Sequence, residues 1–556
     1  METIRFSDVT FTYPLAEKPA LDGISLEIPE AAFVVVCGRS GCGKSTLLRH
    51  MKKNLTPYGR RTGEVTYEGD PVMELDDRRS AAEIGFVQQN PDNQLVTDKV
   101  WHELAFGLES MGLDNQTIRR RVAEMASYFD IQTWFRRDVS QLSGGQKQLL
   151  NLASIMAMQP RLLVLDEPTS QLDPIAASEF LRTIYKINRD IGTTVVMSEH
   201  RLEEAFPMAD QVVVMDHGQI IACDAPRRIG RFMAGDTEEE RHPMFYGLPA
   251  ITKIFHGAGG QGESPLTIRE GRLWLQDLMA HKAKAAMPEK KPLAAGKADQ
   301  NRHRTVCPDS AISLKEVWFR YDRHAPDVLR GLTLEVPKSR LFCLLGGNGV
   351  GKSTTLKAIC RMIKPQRGKI RVEGKLAMLP QNPQALFTEV CVEDELMEAL
   401  YRDPRSDEAK VDAVMEMLRA MEIEHLRKAH PYDLSGGEQQ RLALGKVLLL
   451  DPEVILLDEP TKGLDPFFKR TLAKVFRKLT EEGKTLFMVS HDIEFCAEYG
   501  DDCALFFDGE VVSAGEARAF FRGNSFYTTT ANRMAREYFP QAITWEEVAA
   551  CVHAQI

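Results

Sequence analysis

The sequence predicts a fold of the α/β class, laid down twice. Three observations carry that expectation. First, a glycine-rich turn lies between an apolar run and a helical stretch. It occurs as Gly38-Arg39-Ser40-Gly41-Cys42-Gly43-Lys44-Ser45-Thr46 and again as Gly346-Gly347-Asn348-Gly349-Val350-Gly351-Lys352-Ser353-Thr354. Second, apolar runs of strand length alternate with helical patterns. That alternation implies parallel sheets flanked by helices, with ligand groups gathered at the carboxyl ends of the strands. Third, the spacing repeats. Lys44 recurs as Lys352 at an offset of 308, Gln89, Ser143 and Glu167 recur as Gln381, Ser435 and Glu459 at 292, and His200 recurs as His491 at 291. A period this long is a duplicated domain. The first half holds 308 − 292 = 16 more residues between its glycine-rich turn and Gln89.

A chain of 556 residues has room for several cores, since single cores rarely exceed ~250–300 residues. The expected division is a first domain over 1–235, an extension and linker over 236–310, a second domain over 311–525 and a tail over 526–556. Composition is ordinary for a globular protein. No apolar run approaches the ~20 residues needed to span a bilayer. No basic segment followed by an apolar one opens the chain, so no signal peptide is expected. A net charge of −9 argues against nucleic acid as a partner. The ten cysteines are scattered without metal-ligand spacing and read as reduced thiols.

Taken in order, residues 3–35 alternate short apolar stretches with turn signals, which predicts a small antiparallel β region. Tyr13 lies there, and Tyr321 holds the matching place. Either ring stacks on an adenine or packs locally; the paired placement favours stacking. The glycine-rich turn follows, in the strand–turn–helix context of a phosphate-binding loop. Its glycines let backbone N–H groups close on a phosphate, and the helix behind adds partial positive charge. Lys44 and Lys352 reach the terminal phosphates, and Ser45 and Ser353 take a place on Mg²⁺. Cys42 reads as a small side chain that fits the loop.

Residues 95–160 and 386–450 read as mainly helical. Each block ends in a Leu-Ser-Gly-Gly motif, Ser143-Gly144-Gly145 or Ser435-Gly436-Gly437, followed by a helix. A buried strand then ends at Asp166-Glu167 or Asp458-Glu459. A buried carboxylate needs a partner, and Mg²⁺ suits Asp166 and Asp458. Strand alternation is expected to turn Glu167 and Glu459 to another side, as general bases for an attacking water. A further strand ends at His200 or His491. Gly230 to Leu278 carries no assignment. Lys282 to Asp309, rich in Ala, Lys and Pro, reads as a flexible linker. The tail after Gly515 holds one clear helix signal, the capping box Thr544-Trp545-Glu546-Glu547.

Phosphate loop, Gln motif, Leu-Ser-Gly-Gly, Asp-Glu and His, in this order and twice, resemble the ATP-binding cassette ATPases. The likeness covers nearly all of the chain except linker and tail. Gln89-Asn90-Pro91-Asp92-Asn93-Gln94-Leu95 resembles the ATPase subunits of energy-coupling factor importers for vitamins and metal ions. Asp458-Glu459-Pro460-Thr461-Lys462-Gly463-Leu464-Asp465 and Gly523-Asn524-Ser525-Phe526-Tyr527 are similar to that family too. Gln381-Asn382-Pro383-Gln384 is a looser match.

The resemblance implies ATP and Mg²⁺ as cofactors. His200 and His491 would face the γ-phosphate, and Gln89 and Gln381 would touch Mg²⁺ or water and couple the site to a partner. It also implies head-to-tail pairing of the halves, Ser435 to Gly437 closing over the first nucleotide and Ser143 to Gly145 over the second. Both residue sets are complete, so both sites are expected to hydrolyse. The expected partners are integral membrane subunits, an energy-coupling transmembrane protein and a substrate-binding membrane protein. The chain would then lie peripherally on the cytoplasmic face of the cell membrane. The candidate docking segments are Asp92 to Glu109 and Gln384 to Glu398. The alternatives are a soluble twin-cassette factor acting on the ribosome and a fused sugar-import ATPase. Against the first stand Pro288, Pro292, Gly296 and Pro308, which interrupt helices between the cassettes.

Overall fold

The computed structural model describes residues 2–14, 16–235, 241–285, 309–347 and 349–555. They divide into two compact units, with the boundary at Leu266 and Thr267.

In the first unit, β1 (Glu2–Thr12) and β2 (Leu21–Pro29) lead into β3 (Phe33–Gly38) and α1 (Lys44–Arg49). Next come β4 (Arg60–Tyr67), β5 (Asp70–Pro71), α2 (Asp77–Glu83) and β6 (Ile84–Val87). The helical block is α3 (Val100–Ser110), α4 (Asn115–Tyr128) and α5 (Gly144–Ala157). After it follow β7 (Leu162–Asp166), α6 (Pro174–Ile191), β8 (Thr194–Ser198) and α7 (Leu202–Ala205). The unit closes with β9 (Gln211–Asp216), β10 (Gln219–Asp224), α8 (Pro226–Ala234) and α9 (Ala250–Gly257).

Strands β2-β1-β4-β5 form an antiparallel sheet, and β10-β9-β3-β8-β7-β6 form a six-stranded sheet. Only β10 runs antiparallel in the latter. Every residue of β3, β7 and β8 is buried. That is why these strands read as unbroken apolar runs rather than alternating ones. Phe6, Phe11, Val34, Val36, Leu47 and Val164 join the two sheets in one core.

The second unit opens with α10 (Ile268–Ala285) and then repeats the plan. Strands β11 (Ser310–Phe319), β12 (Leu329–Pro337) and β13 (Leu341–Leu345) precede α11 (Lys352–Ile359). There follow β14 (Arg367–Val372), β15 (Leu376–Leu379), α12 (Val392–Ala399), α13 (Asp407–Ala420) and α14 (Gly436–Leu449). Next come β16 (Val454–Asp458), α15 (Pro466–Glu481), β17 (Thr485–Ser490) and α16 (Ile493–Tyr499). The chain ends with β18 (Asp502–Phe507), β19 (Glu510–Glu516), α17 (Ala517–Gly523), α18 (Thr530–Ala535) and α19 (Trp545–His553). The sheets are β12-β11-β14 and β15-β16-β17-β13-β18-β19.

The fold class expected from the sequence is observed in both units. Most of the extra length in the first half is β5 and α2: residues 68–83 separate β4 from β6, whereas 373–375 separate β14 from β15. Two expectations need correction. The stretch that begins at Lys282 is still helical through Ala285, and residues 286–308 lie outside the described part. The tail holds three helices, of which only α19 announced itself, through the capping box of Thr544 and Glu547. The helices α17 and α18 have seven and six residues, too short to establish a helical period.

Candidate active sites

Each glycine-rich turn ends in a left-handed residue that caps the following helix, Gly43 at φ 104° and Gly351 at φ 115°. A Cβ on Gly43 would stand 2.4 Å from the Ala20 carbonyl oxygen. Glycine is therefore required there by both conformation and space. The lysines that follow are buried, with their ammonium groups turned back over the turn. Lys44 Nζ donates to the carbonyls of Gly38 (3.0 Å) and Arg39 (2.9 Å). Lys352 Nζ donates to those of Gly346 (2.9 Å) and Gly347 (2.7 Å). Asn348 lies outside the described residues.

One residue on, Ser45 Oγ donates to Asp166 Oδ1 at 2.9 Å, and Ser353 Oγ donates to Asp458 Oδ1 at 3.1 Å. Burial pushes both aspartic acids above the usual carboxylate range, the condition in which a cation is a natural partner. A hydroxyl and a carboxylate, completed by phosphate oxygens, make a donor set for Mg²⁺. The next residues bind the tyrosines: Tyr13 Oη lies 3.1 Å from Thr46 Oγ1, and Tyr321 Oη lies 3.2 Å from Thr354 Oγ1. Each ring meets a core phenylalanine edge-on, Phe11 or Phe319, and Tyr321 stays 60% exposed. Cys42 is buried and its thiol is pushed up by that burial, so it fills space in the loop rather than reacting.

The glutamates that follow are not aimed by strand alternation. Both leave the strand through a left-handed turn, with φ 44° at Glu167 and 55° at Glu459. Such backbone costs of order 1–3 kcal/mol and clusters where a side chain must be aimed. In the first unit Glu167 is gripped from two sides. Gln89 Nε2 donates to Oε2 at 2.8 Å, and His200 Nε2 lies 2.8 Å from Oε1. Ser198, which sequence reasoning passed over, accepts from Glu167 N and donates to Asp166 Oδ1, both at 2.9 Å. Its signal was available: Ser198 and Ser490 close the strand before each histidine at the offset of 292.

In the second unit His491 Nε2 lies 3.2 Å from Glu459 Oε1 and 3.1 Å from Lys352 Nζ. Gln381 is exposed and makes no hydrogen bond to Glu459 among the described residues. The drop in offset from 292 to 291 is one residue, Glu199, between Ser198 and His200. Glu199 is 2% exposed. It accepts from Thr169 Oγ1 at 2.7 Å and from the N–H groups of His200 and Arg201, both at 2.9 Å. The second unit has no counterpart.

The Ser-Gly-Gly motifs open helices of 14 residues each, α5 and α14, as expected. The serines cap them. Ser143 Oγ accepts from Gln146 N, and Ser435 Oγ accepts from Glu438 N while donating to Glu438 Oε2.

Residues 21–170 and 329–462 match the ABC transporter family. The chain belongs to that family. A Bacillus thuringiensis relative named as an ABC transporter ATP-binding protein is 41% identical over 98% of this chain and 97% of its own length. A Streptomyces coelicolor relative with the same kind of name is 35% identical over 92% of this chain and 94% of its own. Among solved structures, an archaeal ribosome recycling factor, solved in complex with the ribosomal stalk protein aP1, aligns with 93% of this chain and 91% of its own. Its TM-score is 0.57 at 19% identity, a likeness of fold.

For an ABC ATPase the contrast between the two acids has chemical content. Burial alone would raise Glu167, but the charge and hydrogen bond of His200, with Lys44 behind, pull it down to about 2. Glu459 is pushed up by burial to about 7 against the pull of Lys352. The first imidazole donates to its glutamate; the second stands between an ammonium and a carboxyl. The same residue types are thus present twice in two electrostatic settings.

Proposed function

We propose that the chain is the ATP-hydrolysing motor of an importer of the energy-coupling factor type, taking up a vitamin or a metal ion through separate integral membrane subunits. The supporting observation is the surface that follows the first Gln motif. Gln89 touches the catalytic acid, and the loop after it is fixed from within. Glu103, buried on α3, accepts from the N–H groups of Val96 (3.1 Å) and Thr97 (2.8 Å). Asn151 donates to the Pro91 carbonyl. The loop leads to a groove of about 570 Å³ between α3 and α4, lined by Trp101, Ile118, Val122 and Phe135 with Glu109 and Arg119 at its side. An apolar helix face fits that lining, and a helix of the energy-coupling transmembrane protein is the proposed occupant. In the second unit a polar hollow lined by Arg419, Glu422, Glu424, His425 and Arg427 lies at the end of α13.

In this reading Lys44 with Ser45, and Lys352 with Ser353, hold the phosphates of one ATP each. Asp166 and Asp458, with the serines, hold Mg²⁺, which neutralises charge on the phosphates. Glu167 and Glu459 take the proton of the attacking water, and His200 and His491 face the γ-phosphate. Tyr13 and Tyr321 stack on the bases. Ser143 to Gly145 and Ser435 to Gly437 close over the nucleotide of the opposite head, and hydrolysis releases them. No helix among the described residues is long and apolar enough to cross a membrane; in this reading the partners supply the pathway and the chain lies on the cytoplasmic face. The test is purification from native membranes in mild detergent. Co-purifying integral membrane proteins are expected; recovery with ribosomes would overturn the proposal.

A further inference from the structure

Three residues past each histidine stands a glutamate, Glu203 and Glu494, related by the offset of 291 that also relates His200 to His491. Each reaches the first residue of a helix that lies far along the chain. Glu203 Oε1 accepts from Ala250 N at 2.6 Å, at the start of α9. Glu494 Oε1 accepts from Thr530 N at 2.7 Å, at the start of α18. These helices belong to the two stretches to which the sequence assigned no role, and the shared contact identifies them as copies of one appendage.

The appendages are packed, not loose. α9 buries Ala250, Ile251, Thr252, Ile254 and Phe255, and α18 buries Ala531, Asn532, Met534 and Ala535. The histidine turns are short by comparison, since α7 has four residues and α16 seven. A short turn is held by what it docks on rather than by its own helix.

We infer that Glu203 and Glu494 are positioning residues: each fastens the turn that presents His200 or His491 to a duplicated helical appendage, and so sets where the imidazole stands. The appendage is then a lever on hydrolysis. The inference rests on the reading of the two histidines as γ-phosphate-facing groups.

The test compares two double variants of the full chain, Glu203→Ala/Glu494→Ala and Glu203→Gln/Glu494→Gln, because a glutamine keeps an oxygen that accepts the same N–H. The expected result for the alanine pair is a fall in kcat of about tenfold or more, with ATP affinity within about twofold, a loss confined to the chemical step. The glutamine pair should restore most of kcat. A role in stability alone would lower the unfolding midpoint and leave kcat per folded molecule intact. Unchanged kcat in the alanine pair, or an equal loss in both pairs, overturns the inference. His200→Ala/His491→Ala is the reference. Full turnover there overturns the histidine reading and this inference together. Lost turnover there, with full turnover in the alanine pair, overturns this inference alone.

Discussion

His200 Nε2 lies 2.8 Å from Glu167 Oε1, a contact for which the neighbouring Glu199 spends a buried carboxylate on the His200 and Arg201 N–H groups. Removing that carboxylate leaves the buried Thr169 hydroxyl and the two half-buried N–H groups without their acceptor, at a cost of about 1–3 kcal/mol. Glu199→Ala is expected to lower the unfolding midpoint and to slow turnover at the first site only. Single-turnover hydrolysis in a Glu459→Gln background isolates that site.

In the proposed reaction Glu167 and Glu459 take the proton of the attacking water, so Glu167→Gln and Glu459→Gln should each silence one site. A general base contributes roughly 10²–10⁴ in rate. ATP binding, followed by a fluorescent analogue, should persist in both variants. Full wild-type turnover from either would remove that glutamate from the chemistry.

Tyr13 and Tyr321 separate stacking from local packing by substitution. Base–aromatic stacking is worth about 1–3 kcal/mol. Tyr13→Ala and Tyr321→Ala should therefore weaken ATP binding by about fivefold to a hundredfold, and the phenylalanine variants should keep it. Equal affinities across the series would leave the rings a packing role alone.

His256 on α9 predicts an acid-sensitive first unit. Burial pushes its imidazole from 6.5 down to about 4. The unfolded chain takes up a proton near pH 6.5 while the folded one stays neutral until about pH 4. The contribution of this group is complete above pH 6.5 and falls as pH drops from there towards 4, by at most about 3 kcal/mol. His256→Leu should flatten the fall of the unfolding midpoint between pH 6.5 and 4. An unchanged slope would contradict the burial of the ring.

Much of this was legible in the residues. The turns around Lys44 and Lys352, the strands ending at Asp166 and Asp458, and the helices after Ser143 and Ser435 each have a strong local signature, written twice. What escaped was set by tertiary contact. The link from Glu203 to Ala250 spans 47 residues, and no local pattern announces it. The aim of Glu167 escaped because alternation holds inside a strand and fails at its last residue, where a left-handed turn takes over. The contrast between the two acids escaped because His200 and His491 are the same letter. Only their different surroundings separate them.

The left-handed backbone at Glu167 and Glu459 has a consequence for how this protein can vary. Asparagine accepts that conformation more readily than most residues do. Replacement there would ease the chain's geometry while deleting the proposed proton acceptor. Selection for mere sturdiness would then tend to inactivate the proposed motor, and the strained acids persist only where turnover is selected.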